Sequence, residues 1–395
     1  MPQDPFQQRL QSRLDQLQSL HLRRHRRSVE YLSSTECRMD GRQVISFATN
    51  DYLGLSRHPL VLQAFAEAAS QQCGATASAL VAGRSPAHDQ LESGLADFEG
   101  CESAVLFPSG FAANYGTLTA LIGANDAVFC ERENHASLID GCRASAGKFF
   151  VYDRSNPEQL RNSIQRRRSL YDWIYIVTDS VFSMDGDVAD LSALCDMCDA
   201  HQATLIVDEA HATGVFGPTG RGVCELQQVD HRAAVRIGTL SKALGGLGGF
   251  VVGSGELSDV LWNTARSQFF STALPPAVCE AARAALKVLQ TEPRHRIRLA
   301  SLARFARTRM TESGLTLLPA PAESPIIGVL LQDDDVAVRI SQKLLTAGFF
   351  VPAIRPPTVA RGTARLRFSL CSHHTEEQIN DAVCHLRDVV RTERL

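Results

Sequence analysis

Seven short apolar runs between residues 104 and 253 constrain the fold more than any other feature. They occupy 104–107, 127–130, 149–152, 173–178, 204–208, 235–239 and 250–253, and stretches with helical spacing lie between most of them. Short continuous apolar strands alternating with helices give a mostly parallel sheet covered on both faces. The expected class is therefore α/β, built on a seven-stranded, mostly parallel sheet. Ligands of such sheets bind at the carboxyl ends of the strands. That rule places Ser109, His135, Ser183, Asp208, His211 and Lys242 along one rim, because each falls at or just after a strand end.

Two pieces of this rim carry chemistry. Thr204-Leu205-Ile206-Val207-Asp208-Glu209-Ala210-His211 is an apolar strand ending in a carboxylate, with an imidazole three residues on. Thr239-Leu240-Ser241-Lys242-Ala243-Leu244-Gly245-Gly246 is a second strand end, an amine and a glycine-rich exit. Lys148, Lys242, Lys287 and Lys343 are the only lysines, so a chain that otherwise uses Arg keeps an amine here. Guanidinium stays protonated and forms no Schiff base. The set suits a pyridine-aldehyde cofactor, with Lys242 on the aldehyde, Asp208 on the ring nitrogen and His211 near the phenolic oxygen. A solvated lysine at a turn is the other reading. Pro108-Ser109-Gly110-Phe111-Ala112-Ala113-Asn114 forms a strand–turn–helix corner, and the first N–H groups of a helix suit a phosphate. Many helices after strands share that property. His135 is either a helix-start residue or an aromatic plate stacked on a flat ring. Ser183 is a candidate donor to a cofactor oxygen, and Asp179 points to the same rim.

The flanking segments are less specific. Residues 6–28 have the spacing of an amphipathic helix, with Leu10, Leu14, Leu17 and Leu20 on one face. It ends in Leu22-Arg23-Arg24-His25-Arg26-Arg27, read either as a solvated basic helix end or as a site for phosphates or an acidic partner. A nucleic-acid arm is the weakest option, since no aromatic interrupts the charges. Residues 43–47 suggest a short edge strand, and Pro59 opens a helix. The small-residue stretch 73–86 suits either a close backbone approach or an ordinary loop, and Leu91, Leu95 and Phe98 mark a buried helical stripe. From about 275 the pattern changes. One long helical stretch runs toward 312, strands are expected at 315–318, 325–331, 349–351 and 365–370, and helices at 335–346 and from Thr375. This reads as a small C-terminal α+β domain. The expected division is 1–48 for an N-terminal helix and edge strand, 49–285 for the large domain and 286–395 for the small one. Arg355, Arg361, Arg365 and Arg367 flank a Pro356-Pro357 pair, and guanidinium forks on a stiffened loop match carboxylates. A solvated basic loop is the alternative.

Composition excludes other classes. The net charge of −3 favours neither nucleic acid nor a membrane surface, and no apolar run is long enough to span a bilayer. Eleven scattered cysteines argue for a reducing compartment rather than a disulfide framework. With no basic flank and apolar core at the N-terminus, the expected location is the cytoplasm. Cys195 and Cys198 have ligand spacing but no second pair, so no metal is expected.

These stretches together resemble the α-oxoamine synthases, fold-type I transferases that use pyridoxal 5′-phosphate (PLP). The resemblance runs from about residue 20 to about 385. Its most specific parts are Asn50-Asp51-Tyr52-Leu53-Gly54-Leu55, Ser109 to Asn114, Val181-Phe182-Ser183-Met184-Asp185-Gly186-Asp187, Asp208 to His211, Thr239 to Lys242, and Ile354-Arg355-Pro356-Pro357-Thr358-Val359. It implies that Lys242 is the Schiff-base lysine, Asp208 the ring-nitrogen partner and His135 the stacking imidazole. His211 and Ser183 match groups near the phenolic oxygen, and Gly110, Phe111 and Thr239 match phosphate-side positions. Asn50, Arg355 and Thr358 match positions near substrate, as does Arg23, or Arg24 in the adjacent register. Ser271-Thr272 matches a segment that reaches the phosphate of a second subunit, which implies a homodimer. The implied substrates are L-alanine and a pimeloyl thioester of CoA or a carrier protein. Glycine with a short acyl-CoA is the nearest alternative. The chain departs from the family at Asp179, where Glu is common.

Overall fold

Backbone pairing in the computed structural model, which describes residues 4–20, 22–24 and 26–393, sorts the strands into three sheets. The first holds β1 (Val29–Tyr31), β2 (Glu36–Met39) and β3 (Arg42–Ser46). The large sheet holds β4 (Ser103–Phe107), β5 (Ala127–Glu131), β6 (Lys148–Tyr152), β7 (Ile174–Asp179), β8 (Thr204–Asp208), β9 (Val235–Thr239) and β10 (Gly249–Gly253). The last strands are β11 (Ile326–Gln332), β12 (Phe349–Phe350), β13 (Ala353–Ile354) and β14 (Ala364–Ser369).

All seven expected strands of the large sheet form, in the order β4-β10-β9-β8-β7-β5-β6. Only β10 runs antiparallel, against both neighbours, and the rest are parallel. Ile176, Val177, Leu205, Ile206 and Val207 in the central strands are buried, as a sheet covered on both faces requires. Helices Pro86–Glu99, Leu191–His201 and Pro276–Thr291 bury apolar stripes against the main core. Gly110–Leu121 packs on the other side with Leu138 and Leu261. Cys195 and Cys198 are buried in the main core as small hydrophobes.

The N- and C-terminal parts differ from several expectations. The first helix spans Pro5–Ser19, with Asp4 accepting from the Phe6 N–H as its cap, and stops short of the basic run. Arg23, Arg24, Arg26 and Arg27 therefore do not sit on a helix end, and His25 lies outside the described residues. Residues 43–47 are no edge. β3 lies between β2 and β12, pairing antiparallel with β2 and parallel with β12. That pairing ties the N-terminal segment to the C-terminal part, and the 285/286 position falls inside the helix Pro276–Thr291. The single long helical stretch is two helices, because Pro293 cannot continue a hydrogen-bonded turn; the second spans Arg294–Glu312. Residues 315–318 form only an isolated bridge, Leu317 to Val329. The C-terminal sheet is β11-β14-β13, closed over by helices Asp334–Thr346 and Glu376–Glu393.

Gly238 on β9 lies opposite Phe250 on β10, and a Cβ there would meet the Phe250 ring at 2.2 Å. Gly238→Ala is expected to cost about 1–3 kcal/mol through overpacking, read as a lowered thermal midpoint. Adding Phe250→Leu should recover much of the loss. An unchanged midpoint in Gly238→Ala would contradict this packing.

Candidate active site

Parallel pairing brings the ends of β7 and β8 level, so Asp179 and Asp208 are Cα partners. Both are 4% exposed. Asp208 is held on both oxygens: Asn114 Nδ2 donates to one at 2.6 Å and the Ala210 N–H to the other at 2.8 Å. Asn114 also donates to Ser137 Oγ, and its own Oδ1 is buried with no partner among the described residues. Asp179 accepts from the His135 N–H at 2.6 Å and, through its own N–H, donates to Asn134. Burial, with the Asp208 charge added, pushes the Asp179 carboxyl well above the usual carboxylate range.

Lys242 is half-buried where the chain leaves β9. Burial holds its ammonium down to about 8, against the opposing pull of Asp208 and then Asp179, while Arg367 pushes the same way as burial. An amine that titrates near neutrality is available as a base or nucleophile at ordinary pH. Gly245, with φ of +66°, turns the exit loop against Ser56; a Cβ there would meet the Ser56 nitrogen at 2.2 Å.

His211 is buried, with Nδ1 2.6 Å from the Tyr52 hydroxyl. Burial first, and the Lys242 charge second, keep the imidazole well below its usual pKa, hence neutral. Burial also raises the Tyr52 phenol to about 12. Tyr52 therefore fixes the His211 ring through Nδ1 and leaves Nε2 available. His135 caps the helix Ala136–Ala144, its Nδ1 accepting from the Ser137 N–H, yet its ring is exposed. His135 therefore starts a helix, as one reading expected, and its ring remains open to a ligand.

Ser109 caps the helix Gly110–Leu121 by accepting from the Ala112 N–H. The first-turn N–H groups of Gly110 and Phe111 have no intrahelical acceptor. A Cβ on Gly110 would lie 3.2 Å from Thr239 Oγ1, a tight contact, so glycine lets the helix start approach Thr239 without displacing it. Thr239 Oγ1 donates to the Gly248 carbonyl and lies 2.8 Å from Ser241 Oγ. Together these make a cradle that suits an anion, on the strand next to the one that carries Asp208. Phosphate on the cradle, a pyridine nitrogen on Asp208 and an aldehyde on Lys242 fit this donor set. Thr272 is not brought into the cradle; it is exposed and bridged to Ser78.

The substrate side gathers further residues. Arg23, Arg24, Arg355 and Thr358 line a cavity of about 780 Å³ with Leu14, Leu17 and Pro357, so both registers of the basic run reach it. Asn50 Oδ1 accepts from Arg367 at 3.2 Å, and the Ser183 carbonyl accepts from Arg367 Nε at 2.6 Å. Arg367 is 6% exposed and pairs with no carboxylate among the described residues. Arg365 is equally buried but bound to Asp185. The sequence reading did not separate Arg367 from its neighbours or assign a role to Tyr52 or Asn114. The available signal was alternation along β14, where Arg365, Arg367 and Ser369 share a face opposite Leu366 and Phe368.

A family model for aminotransferase class I and II matches residues 42–386. The 8-amino-7-oxononanoate synthase of Anaeromyxobacter dehalogenans is 42% identical over 379 residues, covering 95% of this chain and 94% of that protein. Among solved structures, the S. paucimobilis serine palmitoyltransferase with PLP and myriocin bound superposes with a TM-score of 0.92, at 30% identity and 99% coverage of both chains. The 8-amino-7-oxononanoate synthase of Francisella tularensis gives 0.75 at 30% identity, covering 89% of this chain and 99% of that one.

In the apoprotein, the Lys242 amine is expected to titrate near 8. Competitive acylation across a pH series, read by mass spectrometry of the Lys242 peptide, measures this. Asp208→Asn removes the largest charge favouring the ammonium and should move the midpoint lower. Midpoints near the free-lysine value of about 10.4 in both proteins would refute the assigned environment.

Proposed function

From the premise that this chain belongs to the aminotransferase class I and II family, in the branch of the 8-amino-7-oxononanoate synthases, we propose that its rim condenses L-alanine with a pimeloyl thioester. The protein is a PLP-dependent acyltransferase. The products of the condensation are 8-amino-7-oxononanoate, CO₂ and a free thiol, a step of biotin synthesis. The observation that carries the reading is the buried, doubly hydrogen-bonded Asp208 at the end of β8 beside an amine held near neutrality.

Bound PLP supplies an electron sink for charge that develops at the amino-acid Cα. Lys242 is the residue that would hold it, with Asp208 on the ring nitrogen, His211 Nε2 and Ser183 near the phenolic oxygen, and His135 against the ring face. Gly110, Phe111 and Thr239 would take the phosphate. Each residue then has a task of its own. Lys242, once released, accepts the Cα proton and later returns it, which an amine near 8 does in both directions. Asp208 keeps a negative charge fixed in a dry site, where Asn114 and the Ala210 N–H hold it still. Asp179, whose ionisation burial and the Asp208 charge oppose, orients His135 through the backbone. Tyr52 keeps His211 in one orientation. Arg367, buried beside Asn50, suits the alanine carboxylate bidentately. Arg23, Arg24, Arg355 and Thr358 suit the anionic carrier of the acyl group, at the cavity where they meet.

A second copy of the chain belongs to the same proposal. Leu80, Val81 and Phe270 are exposed apolar residues within three positions of the Ser78–Thr272 bridge along the chain. Apolar surface of this kind fits a partner subunit, with Thr272 extended toward the partner's phosphate cradle. No described helix is long and apolar enough to cross a membrane, and the proposed setting is the cytoplasm.

L-alanine with a pimeloyl thioester should turn over far faster than glycine with acetyl-CoA, read as thiol release. Arg367→Ala is expected to raise the alanine KM by about 10–100-fold, the loss of a charge-assisted contact of about 1.5–3 kcal/mol, with the cofactor absorbance unchanged. Arg23→Ala should act instead on the acyl donor. Faster turnover with glycine and acetyl-CoA would overturn the substrate assignment.

A further inference from the structure

Where the helix Pro276–Thr291 ends and the next begins, three side chains meet outside the machinery described above. Glu292 caps the first helix, His295 lies in the opening turn of the second, and His58 precedes Pro59 at the start of the helix Pro59–Ala69. His295 Nε2 lies 3.2 Å from Glu292 Oε2, and His58 Nε2 lies 3.7 Å from Glu292 Oε1. One ligand atom from each of the three residues lies within 4.8 Å of the others, and it is the only such group among the described residues. All three side chains are mostly shielded, at 14%, 22% and 15% exposure for His58, Glu292 and His295.

We propose that His58, Glu292 and His295 form a binding site for a divalent transition-metal ion of the zinc class. Two neutral imidazoles and one carboxylate are the protein ligands of a common zinc arrangement that leaves a fourth position open. Imidazole donors select such an ion over magnesium or calcium, which take oxygen ligands. Bond lengths of about 2.0–2.2 Å put the donors of a tetrahedral ion roughly 3.3 Å apart, so donors within 4.8 Å of one another need to close by at most about 1.5 Å. Nothing stiff opposes that. The competing partner of Glu292 is Arg294, whose side chain is 74% exposed and whose ion pair is correspondingly weak.

Two surrounding features strengthen the site. The His58 and His295 rings meet edge to face at 6.0 Å, so both present nitrogen edges to one carboxylate instead of stacking side by side. A third imidazole, His373, stacks 5.8 Å from His295 and is exposed, so it can swing in as the fourth ligand. Three imidazoles around one carboxylate repel one another if protonated, whereas a shared cation turns all three into ligands. The ion would join three separate parts of the chain. These are the turn after Tyr52, the break at Pro293 between two long helices, and the loop before the C-terminal helix. The turn also carries Gly54, whose backbone packs against His373: a Cβ there would meet that ring at 2.4 Å.

The test uses the PLP-loaded full chain, stripped with chelator and equilibrated with buffered zinc chloride, with zinc counted per chain by elemental analysis. One zinc per chain is expected, undisplaced by excess magnesium. The double variant His58→Ala/His295→Ala should lose it. Glu292→Gln keeps a hydrogen-bonding side chain and serves if the double variant fails to fold. It should weaken zinc binding by more than about tenfold, the loss that even an outer partner costs, with the cofactor absorbance intact. Failure of the wild type to hold stoichiometric zinc would overturn the proposal. So would wild-type zinc content in either variant with intact absorbance.

Discussion

One buried carboxylate and one half-buried amine, desolvated by the same sheet end, set the terms for the rest of the molecule. Asp208 sits at the carboxyl end of the central strand β8, where parallel pairing leaves no turn to carry it back into solvent. A charge kept there needs fixed partners, and Asn114 and the Ala210 N–H provide them. Lys242 leaves the neighbouring strand β9 and meets the same field. Burial and Arg367 push its proton off while Asp208 and Asp179 hold it on. The balance falls near neutrality because neither influence wins outright.

The neighbouring groups fit around that pair by being neutral or by facing away. Asp179 would double the negative charge if fully ionised, and burial and the Asp208 charge oppose that ionisation. His211 would double the positive charge if protonated, and burial and Lys242 prevent that too. Arg367 is the exception, a permanent cation with backbone and amide partners but no carboxylate among the described residues. It comes from β14 in the C-terminal sheet, as Arg365 does, so the small sheet lends the rim its cations. Arg365 is answered by Asp185 from the large sheet's side. The remaining cation has to be answered by a ligand.

Much of this was legible in the sequence, for identifiable reasons. The seven core strands are short and apolar throughout, so both their number and the rim rule followed from pattern. Lys242, Asp208, His211, His135 and Gly110 could be placed on the rim because each sits within a few residues of a strand end. Pairings between distant segments were not legible. β12 is two residues long and joins β3 rather than the C-terminal sheet, a choice set by tertiary packing with no trace in periodicity. The helical break at 292–293 was missed because apolar spacing continues on both sides of Pro293. Arg367 was hidden among four arginines. Its role depends on which face of β14 meets Asn50 and Ser183, more than 180 residues away along the chain in each case.

Reductive trapping tests the central claim most directly. The PLP-loaded protein is treated with borohydride and digested, and the peptide carrying the cofactor is identified by mass spectrometry. With only four lysines in the chain the outcome is unambiguous. The account requires the cofactor on Lys242 alone. Label on Lys148, Lys287 or Lys343 in its place, or no label at all, would contradict it.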